Sequence, residues 1–190
     1  DPEEARTKLF ELASGQSGYF TAKQALEAGY SSRLQHYHTH RGHWLRIDRG
    51  IYRLREFPGG RFADLVRWTL WSGGKAVISH DTAADVHELG DIMAGRIHLT
   101  VPPGFRKAIP PGMVLHKAWL GVQDLEQGSG FRLTTVLRTL VDLFLIHTET
   151  DRLAAAVQDA LDRGRVRWPQ IEAAFAELGE AHREGADRLL

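Results

Sequence analysis

Residues 21–54 read TAKQALEAGYSSRLQHYHTHRGHWLRIDRGIYRL, and this stretch decides the fold of the N-terminal part of the chain. Thr21 offers a capping hydroxyl to a first helix that Gly29 ends, and Ser31 caps a second helix that Gly42 ends. Two short apolar runs follow, joined by the turn sequence DRG, which places glycine where a three-residue hairpin loop favours positive φ. Two helices, a tight turn and a hairpin in this order predict a winged helix-turn-helix, a fold that binds DNA.

The second predicted helix presents two faces of different character. Leu34, Tyr37 and His38 recur at the i, i+3, i+4 spacing, so we expect them to pack against the core. The opposite face, which we expect to enter the major groove, carries Ser32, Arg33, Gln35, His36, Thr39 and His40. Arginine can pair with guanine and glutamine with adenine at their major-groove edges, which makes Arg33 and Gln35 the predicted base readers.

A local excess of positive charge accompanies this pattern. Residues 21–55 contain seven Lys or Arg and two Asp or Glu, a net charge of +5, whereas the whole chain sums to zero. Because DNA binding draws affinity from neutralised phosphates, the local field matters more than the overall charge. Arg46, Arg49 and Arg53 of the hairpin are expected to contact phosphates or the minor groove. The full predicted contact set is Thr21, Lys23, Ser31, Ser32, Arg33, Gln35, His36, Thr39, His40, Arg41, Arg46, Arg49 and Arg53.

The remainder of the chain alternates helical and strand patterns, which predicts a mixed α+β domain after the winged one. A Pro-Gly-Gly breaker at residues 58–60 favours a division into a DNA-binding domain, 1–57, and a regulatory domain, 58–190. In the second domain, strands are expected at 77–78, 96–101, 114–120 and 131–133, and helices at 61–71, 79–89, 135–147, 151–163 and 169–178.

The N-terminal half resembles a known regulator family. The helix-turn-helix from Gly29 to Gly42, followed by WLRIDRGIYRL at 44–54, is similar to the N-terminal domain of the AbiEi family, the antitoxins of bacterial type IV toxin–antitoxin modules. The resemblance continues through AVISHDTAA (76–84), IHLTVP (97–102) and TTVLRTLVDL (134–143). The chain departs from the family pattern in its second helix, where histidines occupy several positions expected to hold arginine.

The resemblance implies a function and two partners. It implies a cytoplasmic, non-enzymatic repressor that binds inverted repeats in the double-stranded DNA of its own promoter. It further implies an antitoxin, in a phage-defence module, that counteracts a cognate AbiEii-type nucleotidyltransferase toxin without forming a stable complex with it.

Two alternatives from other classes stay open at this stage. The same N-terminal pattern precedes Vsr-like endonuclease domains in longer proteins, which would be recognised by an acidic Asp, Glu-x-Lys constellation after the last helices. A winged helix can also bind a protein instead of DNA, and salt-dependent binding to duplex DNA separates that alternative from ours.

Composition and motif searches indicate neither a catalytic site nor a cofactor. The absence of cysteine excludes disulfides and Cys-zinc sites, and no apolar run approaches membrane length. His36 and His40 are one helical turn apart, as zinc ligands can be, but no carboxylate is placed to complete a site, so we predict no metal. Ser79, His80 and Asp81 are adjacent in sequence and cannot form a catalytic relay; we interpret them as a helix start.

Overall fold

The computed structural model describes residues 1–146 and 148–178, which form helices and strands throughout and confirm the predicted α+β class. The helices are α1 (Pro2–Ser14), α2 (Ala22–Glu27), α3 (Ser32–His40), α4 (Ala63–Trp71), α5 (His80–His87), α6 (Val136–Leu145), α7 (Thr150–Asp162) and α8 (Trp168–Ala176). The strands are β1 (Tyr19–Thr21), β2 (Trp44–Asp48), β3 (Ile51–Leu54), β4 (Val77–Ile78), β5 (Ile97–Val101), β6 (Met113–Lys117), β7 (Leu125–Gln127) and β8 (Arg132–Thr134).

The N-terminal elements follow the order of a winged helix. An antiparallel three-stranded sheet in the order β1-β3-β2 accompanies α1, α2 and α3. Leu9 and Ala13 of α1 pack with Phe20 and Trp44 in a buried cluster. Strand β1 is absent from our sequence prediction, because its three residues make a β-strand only by pairing with β3 across 30 positions of chain.

Local capping chemistry sets the helix boundaries in this region, as predicted. The Thr21 hydroxyl accepts a hydrogen bond from the Gln24 amide, and the Gln24 side chain accepts one from the Thr21 amide, completing a capping box for α2. The Ser31 hydroxyl caps α3 by accepting from the Leu34 amide. Between them Gly29 adopts φ +108°, a conformation that a residue with a Cβ rarely takes, so the turn between the two helices depends on glycine.

The second sheet has five strands in the order β6-β5-β4-β8-β7. Strand β4 is antiparallel to β5 and parallel to β8, while β5 and β6 run parallel. Helices α5 to α8 supply a separate apolar core that includes Leu89, Leu140, Leu143, Leu153 and Phe175. Our sequence prediction omitted β7 and extended the strand at 114–120 past the end of β6 at Lys117.

The chain divides into two compact units. The first contains residues 1–76 with 127–131, and the second contains residues 77–126 with the described residues from 132 onward. Helix α4 therefore lies in the first unit, although our sequence analysis assigned it to the second domain. The Tyr19 hydroxyl donates to Asp64 of α4 at 2.7 Å, and this hydrogen bond helps to hold α4 in the first unit. A functional division at residue 57 remains a prediction.

The predicted end of α6 can be compared with the structure only in part. Helix α6 ends at Leu145, and the predicted helix end at His147 lies outside the described residues. Within residues 1–146 and 148–178, no helix is both long and apolar enough to cross a membrane.

Candidate nucleic-acid interface

Helix α3 is the element predicted to read DNA, and most of its predicted contact residues are exposed. Ser32, Arg33, His36 and His40 are exposed on α3, and Arg41 is exposed at its C-cap. The His36 and His40 rings stack with centroids 6.3 Å apart, and the Arg41 guanidinium lies 5.6 Å from the Tyr37 ring centroid. These side chains form what we call the reading face of α3: Arg33, His36, Tyr37, His40 and Arg41.

The structure corrects our assignment of Gln35 to that face. Gln35 is only 6% exposed, and its amide nitrogen donates to the carbonyl oxygens of Ala22 and Tyr30 at 3.1 and 2.9 Å. A side chain held in this way by α2 and the turn cannot reach a base edge. Thr39 is half-buried, and its hydroxyl donates to the Gln35 carbonyl of the same helix at 2.8 Å, so this donor is already engaged.

Of the three residues expected on the apolar face of α3, only His38 packs against the core, on Trp44 and Tyr30. Leu34 and Tyr37 are 43% and 48% exposed, whereas Gln35 is buried. Periodicity analysis places apolar residues inside, but here backbone carbonyls satisfy a buried glutamine, which makes a polar residue acceptable in the core. Sequence reasoning consequently missed Tyr37 as a residue of the reading face.

His38 joins α3 to the first strand of the wing. Its ring stacks on Trp44 with centroids 5.0 Å apart and meets the edge of Tyr30 at 5.3 Å. The Nδ1 atoms of His38 and His43 are 3.2 Å apart. Burial, together with the neighbouring His43, lowers the pKa of His38. This histidine is therefore harder to protonate than a free imidazole, and its ring is engaged in packing instead of facing the solvent.

The wing is the β2–β3 hairpin, with Arg49 at its tip. Gly50 adopts φ +70°, and the Arg49 amide donates to the Asp48 carboxylate at 2.6 Å, which stabilises the turn. Arg46 and Arg49 are exposed, as expected for phosphate contacts. Asp48 also lies 3.4 Å from the guanidinium of Arg67 on α4.

Arg53 does not project from the wing in the way we predicted. It is half-buried, its guanidinium donates to the Phe57 carbonyl at 2.9 Å, and it lies 5.4 Å from the centroid of the Tyr19 ring. Burial and the hydrogen bond to Asp64 raise the pKa of Tyr19 to about 12. Arg53 is thus part of the packing around β1, because its own strand lies between β1 and β2 in the sheet.

The three remaining predicted contacts lie at the starts of the two helices. The Thr21 and Ser31 hydroxyls are engaged as helix caps. Lys23 is exposed and lies 3.7 Å from Glu27 one turn later, an ion pair of little energetic weight at such exposure.

The second unit contains a buried histidine cluster that sequence reasoning did not assemble. His80 stacks on His116 with ring centroids 3.4 Å apart, and His98 Nδ1 lies 3.1 Å from His116 Nε2. Burial lowers the pKa of all three imidazoles, to about 3 for His80 and about 4 for His116. Strands β5 and β6 each supply one of these histidines, which are 18 residues apart, so the sequence gave no local signal of the cluster.

Ser79 and Asp142 border this cluster without forming a catalytic relay. Ser79 is the N-cap residue of α5, as predicted, but its hydroxyl lies 2.9 Å from His80 Nδ1 and accepts from Thr100 instead of capping the helix. Asp142 Oδ2 approaches the same Nδ1 atom, at 3.9 Å. A relay needs the serine and the carboxylate on opposite nitrogens of the ring. In the part of the chain that the structure describes, no group of three or more His, Asp or Glu side chains is arranged to hold a metal ion.

Part of the first unit matches a known protein family. Residues 8–55, which include α1, the helix-turn-helix and the wing, match the AbiEi_4 family, described as a transcriptional regulator, AbiEi antitoxin. The predicted AbiEi recognition is confirmed for this segment. The match supports a general regulatory or antitoxin role. No curated protein sequence matches it.

A solved structure supports the architecture of nearly the whole chain. The crystal structure of the RV2827C protein from Mycobacterium tuberculosis is 17% identical, with a TM-score of 0.50. The alignment covers 92% of this chain and 72% of that one. At this identity the similarity is one of fold alone.

Proposed function

We propose that the chain is a DNA-binding antitoxin that represses its own promoter. The observation that carries the proposal is the exposed basic reading face of α3 beside a wing tipped by Arg49, within a segment that matches a family of transcriptional regulators. In winged-helix proteins this arrangement positions one helix in the major groove while the hairpin contacts the backbone.

Within the reading face, Arg33 is the main base reader that we propose. It lies one residue after the start of α3, where recognition helices point toward base edges, and its guanidinium can pair with both guanine acceptors. His36, Tyr37 and His40 flank it. Arg41, Arg46 and Arg49 supply phosphate contacts, and a two-fold arrangement of copies would match inverted repeats in the operator.

The antitoxin half of the proposal concerns the second unit. We propose that the α+β unit is required to oppose a nucleotidyltransferase toxin of the AbiEii type in the cytoplasm, without a stable complex between the two proteins. The description of the matched family as antitoxins supports this role. The exposed loop at Arg106-Lys107 and helices α6 to α8 are the surfaces we assign to it.

The experiment has a DNA arm and a toxin arm. Duplex DNA carrying the chain's own upstream region is titrated with the parent, with Arg33→Ala, and with Lys8→Ala as a control that removes an exposed cation from α1. We expect Arg33→Ala to lose sequence preference and Lys8→Ala to keep it. In cells that express the cognate toxin, Arg33→Ala should lose repression and retain protection. Equal binding of operator and unrelated duplexes by the parent would reject the repressor proposal, and failure to protect would reject the antitoxin proposal.

The exposure of Leu34 and Tyr37 favours one alternative, a winged helix that binds a protein through α3. The dependence of binding on salt discriminates between the two. Duplex binding through phosphates gives a log K that falls linearly with log salt, by about 0.9 per phosphate contact. A protein-binding α3 gives no operator binding at any salt concentration.

A further inference from the structure

The β5–β6 end of the second sheet is chemically unlike the rest of its unit. Residues 92–123 contain four Lys or Arg and no Asp or Glu, whereas residues 77–91 contain four Asp or Glu and no Lys or Arg. Basic and acidic residues in this part of the unit are therefore concentrated in different segments of the chain. The acid-free stretch includes both strands of the parallel β5–β6 pair and the loop between them.

The topology places Lys117 at one end of the sheet, and a turn in which the Phe105 amide donates to the Pro102 carbonyl leaves Arg106 and Lys107 a few residues beyond the same end of β5. Strands β5 and β6 are parallel, with Val101 opposite Lys117, so their carboxyl ends lie side by side. Arg106 and Lys107 follow closely after β5, and all three cations are exposed. Arg106 and Lys117 form no ion pair with any residue in the described ranges 1–146 and 148–178.

An exposed tryptophan lies at the same end. Trp119 follows Lys117 by two residues and is 76% exposed, and the Ala118 amide between them donates to the Val101 carbonyl, which fixes the chain there. The Trp119 ring meets no other aromatic ring among the described residues. An exposed indole beside cations offers a flat apolar face and an N–H donor to a ligand, the combination for which tryptophan is enriched at interfaces.

We propose that this end of the sheet binds single-stranded RNA, with the Trp119 indole stacked on an unpaired base and Arg106, Lys107 and Lys117 contacting the adjoining phosphates. An aromatic platform beside cations is the combination by which proteins hold unpaired strands. A paired duplex keeps its base faces stacked on each other and offers none to an indole. Unpaired stretches are a regular feature of RNA, whereas chromosomal DNA is paired for most of its length. Two copies of the same surface would repel each other, which disfavours self-association here.

The proposal does not depend on operator binding, which we assign to the first unit, and it gives an RNA ligand to the Arg106-Lys107 loop that we proposed above for opposing the toxin. The test measures the affinity of the full chain for a fluorescently labelled 12-nucleotide uridine strand, by anisotropy at fixed salt. The variants are Trp119→Ala, Trp119→Phe and Lys117→Gln. The matched control is Met93→Ala, because Met93 is equally exposed, at 80%, but precedes the opposite end of β5.

We expect Trp119→Ala to weaken RNA binding about tenfold, Trp119→Phe to recover most of that loss, and Met93→Ala to match the parent. Lys117→Gln should reduce the slope of log K against log salt by about 0.7, the value for one phosphate contact on a single strand. Operator binding by Trp119→Ala should be unchanged, and Arg33→Ala should bind the uridine strand like the parent.

Several results would overturn the proposal. They are equal RNA affinity of the parent and Trp119→Ala, equal losses in Trp119→Ala and Met93→Ala, and binding of duplex RNA as tight as that of the single strand. Competition by poly-glutamate at the same phosphate-equivalent concentration would show instead that the surface takes an acidic protein. The matching deoxyribose strand should bind no more tightly than the uridine strand, because neither the indole nor the cations contact the 2′-hydroxyl in the arrangement proposed; tighter binding of the deoxyribose strand would overturn the assignment to RNA.

Discussion

The amide nitrogen of Gln35 donates to the Tyr30 carbonyl oxygen at 2.9 Å, across the turn that joins α2 and α3. The same nitrogen donates to the Ala22 carbonyl oxygen. A single side chain on α3 thereby fixes the relative placement of the two helices of the helix-turn-helix. In the proposed function, Gln35 therefore contributes to DNA binding only by holding the reading face in position.

The first prediction follows for Gln35→Ala. The substitution removes the donor to the buried Tyr30 carbonyl and a second hydrogen bond to the partly buried Ala22 carbonyl, so we expect the free energy of unfolding to fall by about 1–3 kcal/mol. Urea denaturation of the variant and the parent measures the loss. His36→Ala, an exposed change one residue away, is the control and should shift stability by less than about 0.5 kcal/mol. Unaltered stability of Gln35→Ala would contradict the role described above.

The second prediction separates base reading from folding. Arg33→Ala should keep the parent's unfolding midpoint, because the side chain is exposed. It should lose about 1–3 kcal/mol of discrimination at one operator position, the value of a bidentate arginine–guanine pair. Binding to a set of single-base operator variants measures the effect. If the preference at every position survived the substitution, Arg33 would not be a base reader.

The third prediction distinguishes two arginines of the wing. Arg49→Ala should lower the magnitude of the salt slope by about 0.9 without affecting stability, as expected for one lost phosphate contact. Arg53→Ala should instead reduce stability, because it removes the donor to the Phe57 carbonyl and the contact with Tyr19. Salt-dependent anisotropy and thermal unfolding, applied to both variants, check this reciprocal pattern. Identical behaviour of the two variants would show that Arg49 and Arg53 do not have the different roles assigned to them here.

The fourth prediction concerns pH and the second unit. The folded pKa values of His80, His98 and His116 lie below that of an unfolded histidine, near 6.5, so the unfolded chain binds more protons in mildly acidic solution. The stability that these histidines contribute is complete above about pH 6.5. It is lost as pH falls from there toward about 4 for His116 and about 3 for His80. Burial raises the pKa of Asp142, which acts in the opposite direction but nearer the ordinary carboxyl range.

Thermal unfolding of the full chain between pH 4.5 and 7.5 tests this expectation. The midpoint should drop steadily below pH 6.5, and His116→Gln should flatten that dependence, because glutamine cannot be protonated. His36→Gln, at an exposed position of α3, should leave the pH dependence as it is in the parent. A flat profile in the parent would mean that the cluster is not held in its neutral form.

The parts of the fold that could be predicted from the sequence are those set by neighbouring residues. Thr21 and Ser31 cap the helices that follow them, Gly29 permits the turn, and the sequence DRG closes the hairpin. Each of these signals acts within four or five positions of chain. The order of elements was therefore correct through the whole winged region apart from β1.

The features that could not be predicted depend on partners distant in sequence. Gln35 looked like a surface residue because the carbonyls that satisfy it belong to α2 and the turn, and no pattern within α3 reports them. Arg53 was assigned to the surface for a similar reason, since β1 and Phe57 enclose it. The histidine cluster of the second unit required the parallel pairing of β5 and β6 to be known.

The stacking of His38 on Trp44 couples α3 to β2 through their side chains, and Phe20 packs edge-to-face with Trp44 at a centroid distance of 4.8 Å. Helix and hairpin are thus preset before any duplex arrives, and little conformational entropy remains to be lost when they dock. Because α3 and the hairpin are held rigidly, the DNA is the partner that must change its conformation on binding. We expect the operator to bend or change groove width between the helix and the wing, and base steps that deform easily would then be selected even where no side chain touches them.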